Sequence, residues 1–344
     1  MSVDKAAENG LARQAYGLTA DLMTPRPAIY WLDLLITAAV TYASLALAIL
    51  AQTPAAATAA GLVCLFALYR GVSFIHELTH LRPREVPGFR LGWNVLVGVP
   101  FLAPSFMYEG VHNLHHAKDR FGTDRDPEYL PLARYAPGKI AAFVAVALLA
   151  PLGVVLRFGL LTPLSFVVPS SRRWVVAKTS ALTINPAFAR EDVDAARRPA
   201  WLTQEIACWL WCWTLAAGVG SGLMPLRAVA VAAAILAGTT LVNQLRTACA
   251  HYWEGDGEKM SFEAQFLDSV NVPPPALLPA LWAPVGLRYH ALHHLMPRLP
   301  YHALGEAHRR LVQAVPAGST YRRVEERGLT LALHGLFRRA LQPR

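Results

Sequence analysis

The stretch AAATAAGLVCLFALYRGVSFIHELTH, residues 55–80, decides the fold. Residues 55–75 are apolar apart from Arg70, which lies close enough to the end to snorkel, and they make about the 20 residues that a bilayer-spanning helix needs. The run His76-Glu77-Leu78-Thr79-His80 follows at once. Histidines four apart share one face of a helix, so a membrane span here leads directly into a pair of imidazoles aimed the same way.

Outward from this stretch, residues 29–51 form an apolar run before it, and 203–222 with 228–247 make a second pair. The links Gln52 to Pro54 and Leu223 to Arg227 are short and nearly uncharged, as tight outside turns would be. Over the 344 residues, 54% are hydrophobic and only 16% charged, against about 25% charged in a soluble domain. Disordered, collagen-like and disulfide-scaffold classes are excluded. Cys64, Cys208, Cys212 and Cys249 show no C-x-x-C spacing, so neither a zinc ribbon nor a disulfide framework is indicated, and Cys208 and Cys212 fit one apolar helix.

The net charge of +9 suits either a nucleic-acid patch or the basic cytoplasmic loops of a membrane protein. Its distribution decides. Lys5, Arg13 and Arg26 stand in the N-terminal arm; Arg82, Arg84, Arg90, Lys118, Arg120, Arg125 and Lys139 stand in 80–139; Arg172, Arg173, Lys178, Arg190, Arg197 and Arg198 stand in 172–198. These segments are expected on the cytoplasmic side of a bacterial inner membrane, with no nucleic-acid partner. The first 28 residues lack a continuous apolar core and hold Asp4, Glu8 and Asp21, so no cleavable signal peptide is expected.

Two interrupted stretches complicate the count. Residues 92–107 carry Pro100 and Pro104, and 139–168 carry Pro151, Gly153, Arg157 and Pro163. Both are read as re-entrant or interfacial, the second because a 30-residue helix would be roughly 45 Å long while either half is too short to span. The expected architecture is an all-α integral membrane protein with about four transmembrane helices in two hairpins, re-entrant or interfacial helices and a cytoplasmic histidine-box cap. Residues 1–28 would be a cytoplasmic arm, 29–310 the catalytic membrane domain and 311–344 a basic cytoplasmic tail.

Twelve histidines carry the chemistry. His76 and His80 form one box, His112, His115 and His116 form H-x-x-H-H, and His290, His293 and His294 form a second H-x-x-H-H. Imidazole is a common neutral metal ligand, and eight histidines in matched clusters exceed what one ion needs, so a dinuclear centre is the economical reading. All three boxes face one compartment only if 139–168 makes an even number of crossings, which the basic loop at 172–198 supports. His76-Glu77-x-x-His80 also matches the H-E-x-x-H of zinc metallopeptidases, with Glu77 as general base, but that reading leaves the other six box histidines unexplained. In the dinuclear reading Glu77 is either a partner that orients an imidazole or an acid at the membrane edge.

The three boxes, their order after paired spans, and the run Leu287-Arg288-Tyr289-His290-Ala291-Leu292-His293-His294-Leu295-Met296-Pro297 followed by Pro300-Tyr301-His302 resemble the membrane fatty acid desaturase superfamily, with its integral-membrane hydroxylases, over roughly 60–310. The resemblance implies a cytoplasm-facing centre of two iron ions held by His76, His80, His112, His115, His116, His290, His293 and His294. It implies O2 activation with two externally supplied electrons and removal of hydrogens from an unactivated fatty acyl chain, from a substrate met in the membrane lipid. Such sites often recruit a further histidine and a water-linked asparagine near the end of the fourth span, for which His251 and Asn243 are the candidates, about two helical turns apart. The loop Gly122–Tyr129 is expected to form a turn or to support the ligands from behind, and Trp209, Trp211 and Trp213 an interfacial belt. His302, His308 and His334 lie outside the boxes and are expected to hold no metal.

Desaturation is the leading expectation, with hydroxylation or decarboxylation to a terminal alkene as alternatives that the boxes do not separate. The chain carries no ferredoxin or rubredoxin cysteines, no recognisable haem domain and no G-x-G-x-x-G loop. A separate acidic electron donor, such as a ferredoxin with its reductase, is therefore expected on the basic face.

Overall fold

The computed structural model describes residues 3–191, 195–276 and 278–342. Helix is the regular structure among them, with isolated β-bridges. After α1 (Val3–Thr19) come α2 (Pro27–Leu50) and α3 (Pro54–His80). Each of the latter two opens with proline at its first helical position, where the missing N–H costs nothing, and the Thr53 hydroxyl accepts from Ala56 N to cap α3. Box one lies inside α3: the helix continues unbroken past the apolar run, so His76 and His80 stand on its last turns.

Box two sits on the short α4 (His112–His115). A long helical run, α5 (Pro137–Val167), leads to α6 (Pro169–Thr179). The second hairpin is α7 (Arg198–Gly220) and α8 (Leu226–Ala248). Then follow α9 (Phe262–Asp268), α10 (His290–Leu295) with box three, α11 (Tyr301–Ala314) and α12 (Leu329–Ala340).

Contacts at the helix ends fix the orientation. Arg227, at the start of α8, donates to the Ala51 carbonyl between α2 and α3 at 2.6 Å. Helices α3 and α8 therefore run parallel, and both end at the histidines. They approach closely because Gly238 lacks a side chain: a Cβ there would lie 2.4 Å from Leu65 Cδ1.

By length and apolarity α2, α3, α5 and α8 qualify as membrane spans. This set differs from the expected one at two places. Helix α7 has the length of a span, but Gln204 and Glu205 in its first half and three tryptophans in the second lower its hydropathy. Run α5, expected to be re-entrant or interfacial, is one helical stretch of 31 residues with short 3-10 and π segments and is long and apolar enough to qualify. Its two flanks nonetheless lie on the same face. Gln244, near the end of α8, donates to Phe143 O at 2.9 Å, while beyond α5 Leu182 N bonds Met107 O and Ile184 N bonds Pro127 O, both beside box two. The run thus enters and leaves on the histidine face.

Two charged groups within the apolar helices are paired. Arg70 does not snorkel: it forms a two-pronged ion pair with Asp33 of α2, which also accepts from Tyr301 Oη at 2.8 Å. Desolvated charge is costly without a partner, and Asp33 supplies that partner from the neighbouring helix. Arg157 of α5 meets Glu205 of α7 at 2.7 Å, and Arg172 of α6 grips the other side of the same carboxylate.

The stretch 92–107 folds back on itself through a π turn and Pro104, pinned where Asn94 Nδ2 donates to Ser105 Oγ and Asn94 Oδ1 accepts from Ser105 N, both at 2.9 Å. At the chain's two ends, Arg310 of α11 reaches Leu18 O and Asp21 beside α1, and α12 packs against α5 and the preceding loop.

Candidate metal centre

Nine histidines converge where α3, α8 and α10 end or begin. Among the described residues they form two sets of candidate ligands: His76, His80, His112, His116 and His293, and His115, His251, His290 and His294. Within each set one ring nitrogen per residue lies within 4.8 Å of all the others. The sets abut, the rings of His116 and His294 being 4.4 Å apart.

Helical spacing explains the sorting. His76 and His80, and His112 and His116, are four apart and share a face, so both pairs enter the first set; His290 and His294 are four apart and enter the second. The remaining member of each H-x-x-H-H box, His115 or His293, points elsewhere and joins the opposite set.

His251 reaches the second set through a knot of backbone around Asn271. Val270 N bonds Ala250 O, Asn271 N bonds Val324 O, Ala291 N bonds Val270 O, and Asn271 Oδ1 accepts from Leu292 N at 3.1 Å in the first turn of α10. Asn271 is fully buried, and it holds the segment after α8 against box three.

Carboxylates behind the imidazoles set their orientation. His115 Nδ1 donates to both oxygens of Asp126 at 3.0 Å, and Asp126 is itself held by Gly122 N and Glu128 N. His112 Nδ1 donates to Glu128 at 2.8 Å, and Glu128 also accepts from Tyr108 Oη at 2.5 Å. His251 Nδ1 lies 3.3 Å from Ser269 Oγ and 3.6 Å from Asp268. A carboxylate on Nδ1 keeps the proton there and leaves the Nε2 lone pair available to a cation.

Those lone pairs face each other. Nε2 of His116 is 3.0 Å from Nε2 of both His112 and His293, and Nε2 of His290 is 3.0 Å from His251 and 3.1 Å from His294. Both ring nitrogens of His76 and Nε2 of His80 are buried without a hydrogen-bond partner. Burial, reinforced by neighbouring cationic groups, holds His112, His116, His251, His290, His293 and His294 well below the ordinary histidine value. Burial also acts to lower His115, but Asp126 outweighs it and the net shift is upward. Buried imidazoles kept neutral with opposed lone pairs are mutually repulsive alone and become a favourable donor set around metal ions. An all-imidazole set suits iron, zinc, copper or nickel.

The other candidates separate clearly. Asn243 is exposed, and α8 ends at Ala248, so the helix that would have put it on one face with His251 does not continue. Glu77 is buried, accepts from Tyr30 Oη at 2.6 Å and from Tyr301 N at 3.2 Å, and sits 4.0 Å from His76 Nδ1. It ties α2, α3 and α11 together, so Glu77 is engaged in packing these helices and is not free to act as the general base of a zinc peptidase. His302 Nε2 accepts from Arg26 N, His308 bonds Tyr321, and His334 is exposed. Trp213 is exposed and Trp211 half-buried with its Nε1 on Pro100 O.

Tyr108 and Asp268 had no place in the sequence reading. Tyr108 stands four residues before His112, a helical spacing that could have flagged it, whereas Asp268 meets His251 only through the tertiary fold.

The model of the fatty acid desaturase family matches residues 52–325. The chain is 59% identical over 337 residues to a ceramide hydroxylase of Caulobacter vibrioides, a match spanning 98% of this chain and 96% of that protein. No solved structure matches it.

Proposed function

Because this chain belongs to the fatty acid desaturase family and is an oxidoreductase, we propose that it is an O2-dependent di-iron hydroxylase acting on a ceramide. The observation that carries the reading is the end-to-end likeness to the ceramide hydroxylase, which favours hydroxylation over the desaturation first expected. In this reading His76, His80, His112, His116 and His293 hold one iron, and His115, His251, His290 and His294 the other. The irons supply the oxidising power that no side chain has, since an aliphatic C–H offers neither an acidic proton nor a leaving group.

The protein's own part is positional. Asp126 and Glu128 hold the Nδ1 protons of His115 and His112, Asn271 locks box three to the segment bearing His251, and the apolar helices exclude water and deliver the lipid. One C–H bond and one O2, with two electrons and two protons from outside, give one C–OH and one water. The electrons come from a separate acidic carrier such as a ferredoxin, docking on the basic histidine face, which lies toward the cytoplasm of a bacterial inner membrane.

Purified protein supplied with ferredoxin, its reductase and ceramide should yield hydroxyceramide with one oxygen from 18O2. Products with a new double bond and no added oxygen would move the reading back to desaturation. Turnover without any external reductant would contradict the electron-carrier part.

A further inference from the structure

Two cavities adjoin at the start of α7. The first, about 620 Å³, reaches the five-histidine set at His80 and is walled by Arg90, Glu109, Asn113, Arg190 and Gln204. The second, about 860 Å³, shares Arg190 and Trp201 with it and runs over Phe166, Val176 and Leu202, with Arg172, Arg173 and Arg198 also in its lining. Around it the surface is greasy: Val167 is 80% exposed and Trp174 55%.

The partition between them is rigid. The Arg190 guanidinium lies 4.3 Å from the Trp201 ring centre and donates to Phe106 O, Ser180 O and Glu109 O at 2.6–2.8 Å. On the first cavity's wall Arg90 pairs with Glu109. Gln204 Oε1 accepts from Phe106 N at 3.1 Å and Ser105 Oγ at 3.2 Å, which fixes the amide and leaves Nε2 as a donor.

The lining beside His80 thus mixes polar groups with apolar ones such as Phe106 and Leu114, whereas the lining beyond Trp201 is mainly apolar, so the two spaces differ in the density of their polar groups. Laying hydrocarbon against those polar groups would strip them of water without replacing their hydrogen bonds. Polar substrate groups belong at His80 and the chain belongs across Trp201, leading into the lipid. We infer that the cleft beside His80 is the subsite for the amide and hydroxyl groups of the lipid, with Gln204 a specificity-determining donor, so that oxygen enters within the first few carbons of those groups. This rests on the ceramide reading above.

The test maps the inserted oxygen by fragmentation mass spectrometry of the hydroxyceramide. Oxygen next to the amide or the base hydroxyls is expected; oxygen deep in a chain overturns the placement while leaving ceramide hydroxylation standing. Ceramide left unoxidised by protein that oxidises another lipid overturns the functional reading itself.

Independently of turnover, a ceramide bearing a diazirine beside the amide should label 78–82 or 110–114. One with the diazirine at the chain end should label 166–177 or 199–202. The reverse pattern sinks the inference. Gln204→Leu should raise KM about tenfold, the weight of one hydrogen bond, with a smaller change in kcat and unaltered iron content. An unchanged KM removes Gln204 from the subsite.

Discussion

The two histidine sets are assembled from the same sequence boxes and are not equivalent. The five-histidine set draws on all three boxes, includes the half-buried His80 and His116, and meets a cavity. The four-histidine set takes nothing from box one, is buried throughout, and is completed by His251 from outside the boxes. Phe121 and Trp253 pack on His251 with ring centres 5.5 and 4.9 Å away, sealing that side. The contrast teaches that two sets built from the same boxes differ in exposure, one bordering a cavity and the other enclosed by side chains.

The largest effect is expected from emptying either set. His293→Ala and His290→Ala should each lower bound iron from about two ions per chain and cut activity by more than the roughly 100-fold that outer partners command. Both variants should remain membrane-inserted. Full iron and activity in His293→Ala would remove box three from the centre.

His251→Ala discriminates further, because this residue belongs to no box. Loss matching that of His290→Ala is the expected result by iron analysis; iron content equal to that of the unaltered protein would reduce the second set to three members.

Smaller losses should follow when the supporting carboxylates are neutralised. Asp126→Asn, behind the sealed set, and Glu128→Gln, behind the open one, should each weaken metal affinity about 10–100-fold, read by chelator competition. If Glu128→Gln alone proved silent, Tyr108 would be holding His112 unaided.

The smallest change is expected at Asn243. Asn243→Ala removes an exposed side chain and should leave iron content unchanged and stability within about 0.5 kcal/mol, measured by thermal unfolding.

Much of this molecule was legible in one dimension. The hairpin α2–α3 and the span α8 announced themselves because spans of about 20 apolar residues have few alternatives in a lipid solvent, whereas α7 was legible as a long helix that falls short of a span in hydropathy. The pairing of His76 with His80, or His290 with His294, followed from helical periodicity alone. What was not legible involved partners distant in sequence. Arg70 looked free to snorkel until Asp33 was seen opposite it, and Glu77 matched a peptidase motif until Tyr30 and Tyr301 were seen to hold it. Residues 139–168 carried prolines that suggested a break, yet the chain accommodates them in one run whose flanks return to a single face.

The sequence by itself determined the membrane class and the box histidines, because hydropathy and helical spacing are local properties. Only the tertiary structure decided that nine histidines divide five to four, that His251 joins while Asn243 does not, and that polar groups line the approach to His80. Adjacent helical residues point about 100° apart, so neighbours such as His115 and His116 necessarily diverge. Which set each joins depends on what the fold brings to meet it.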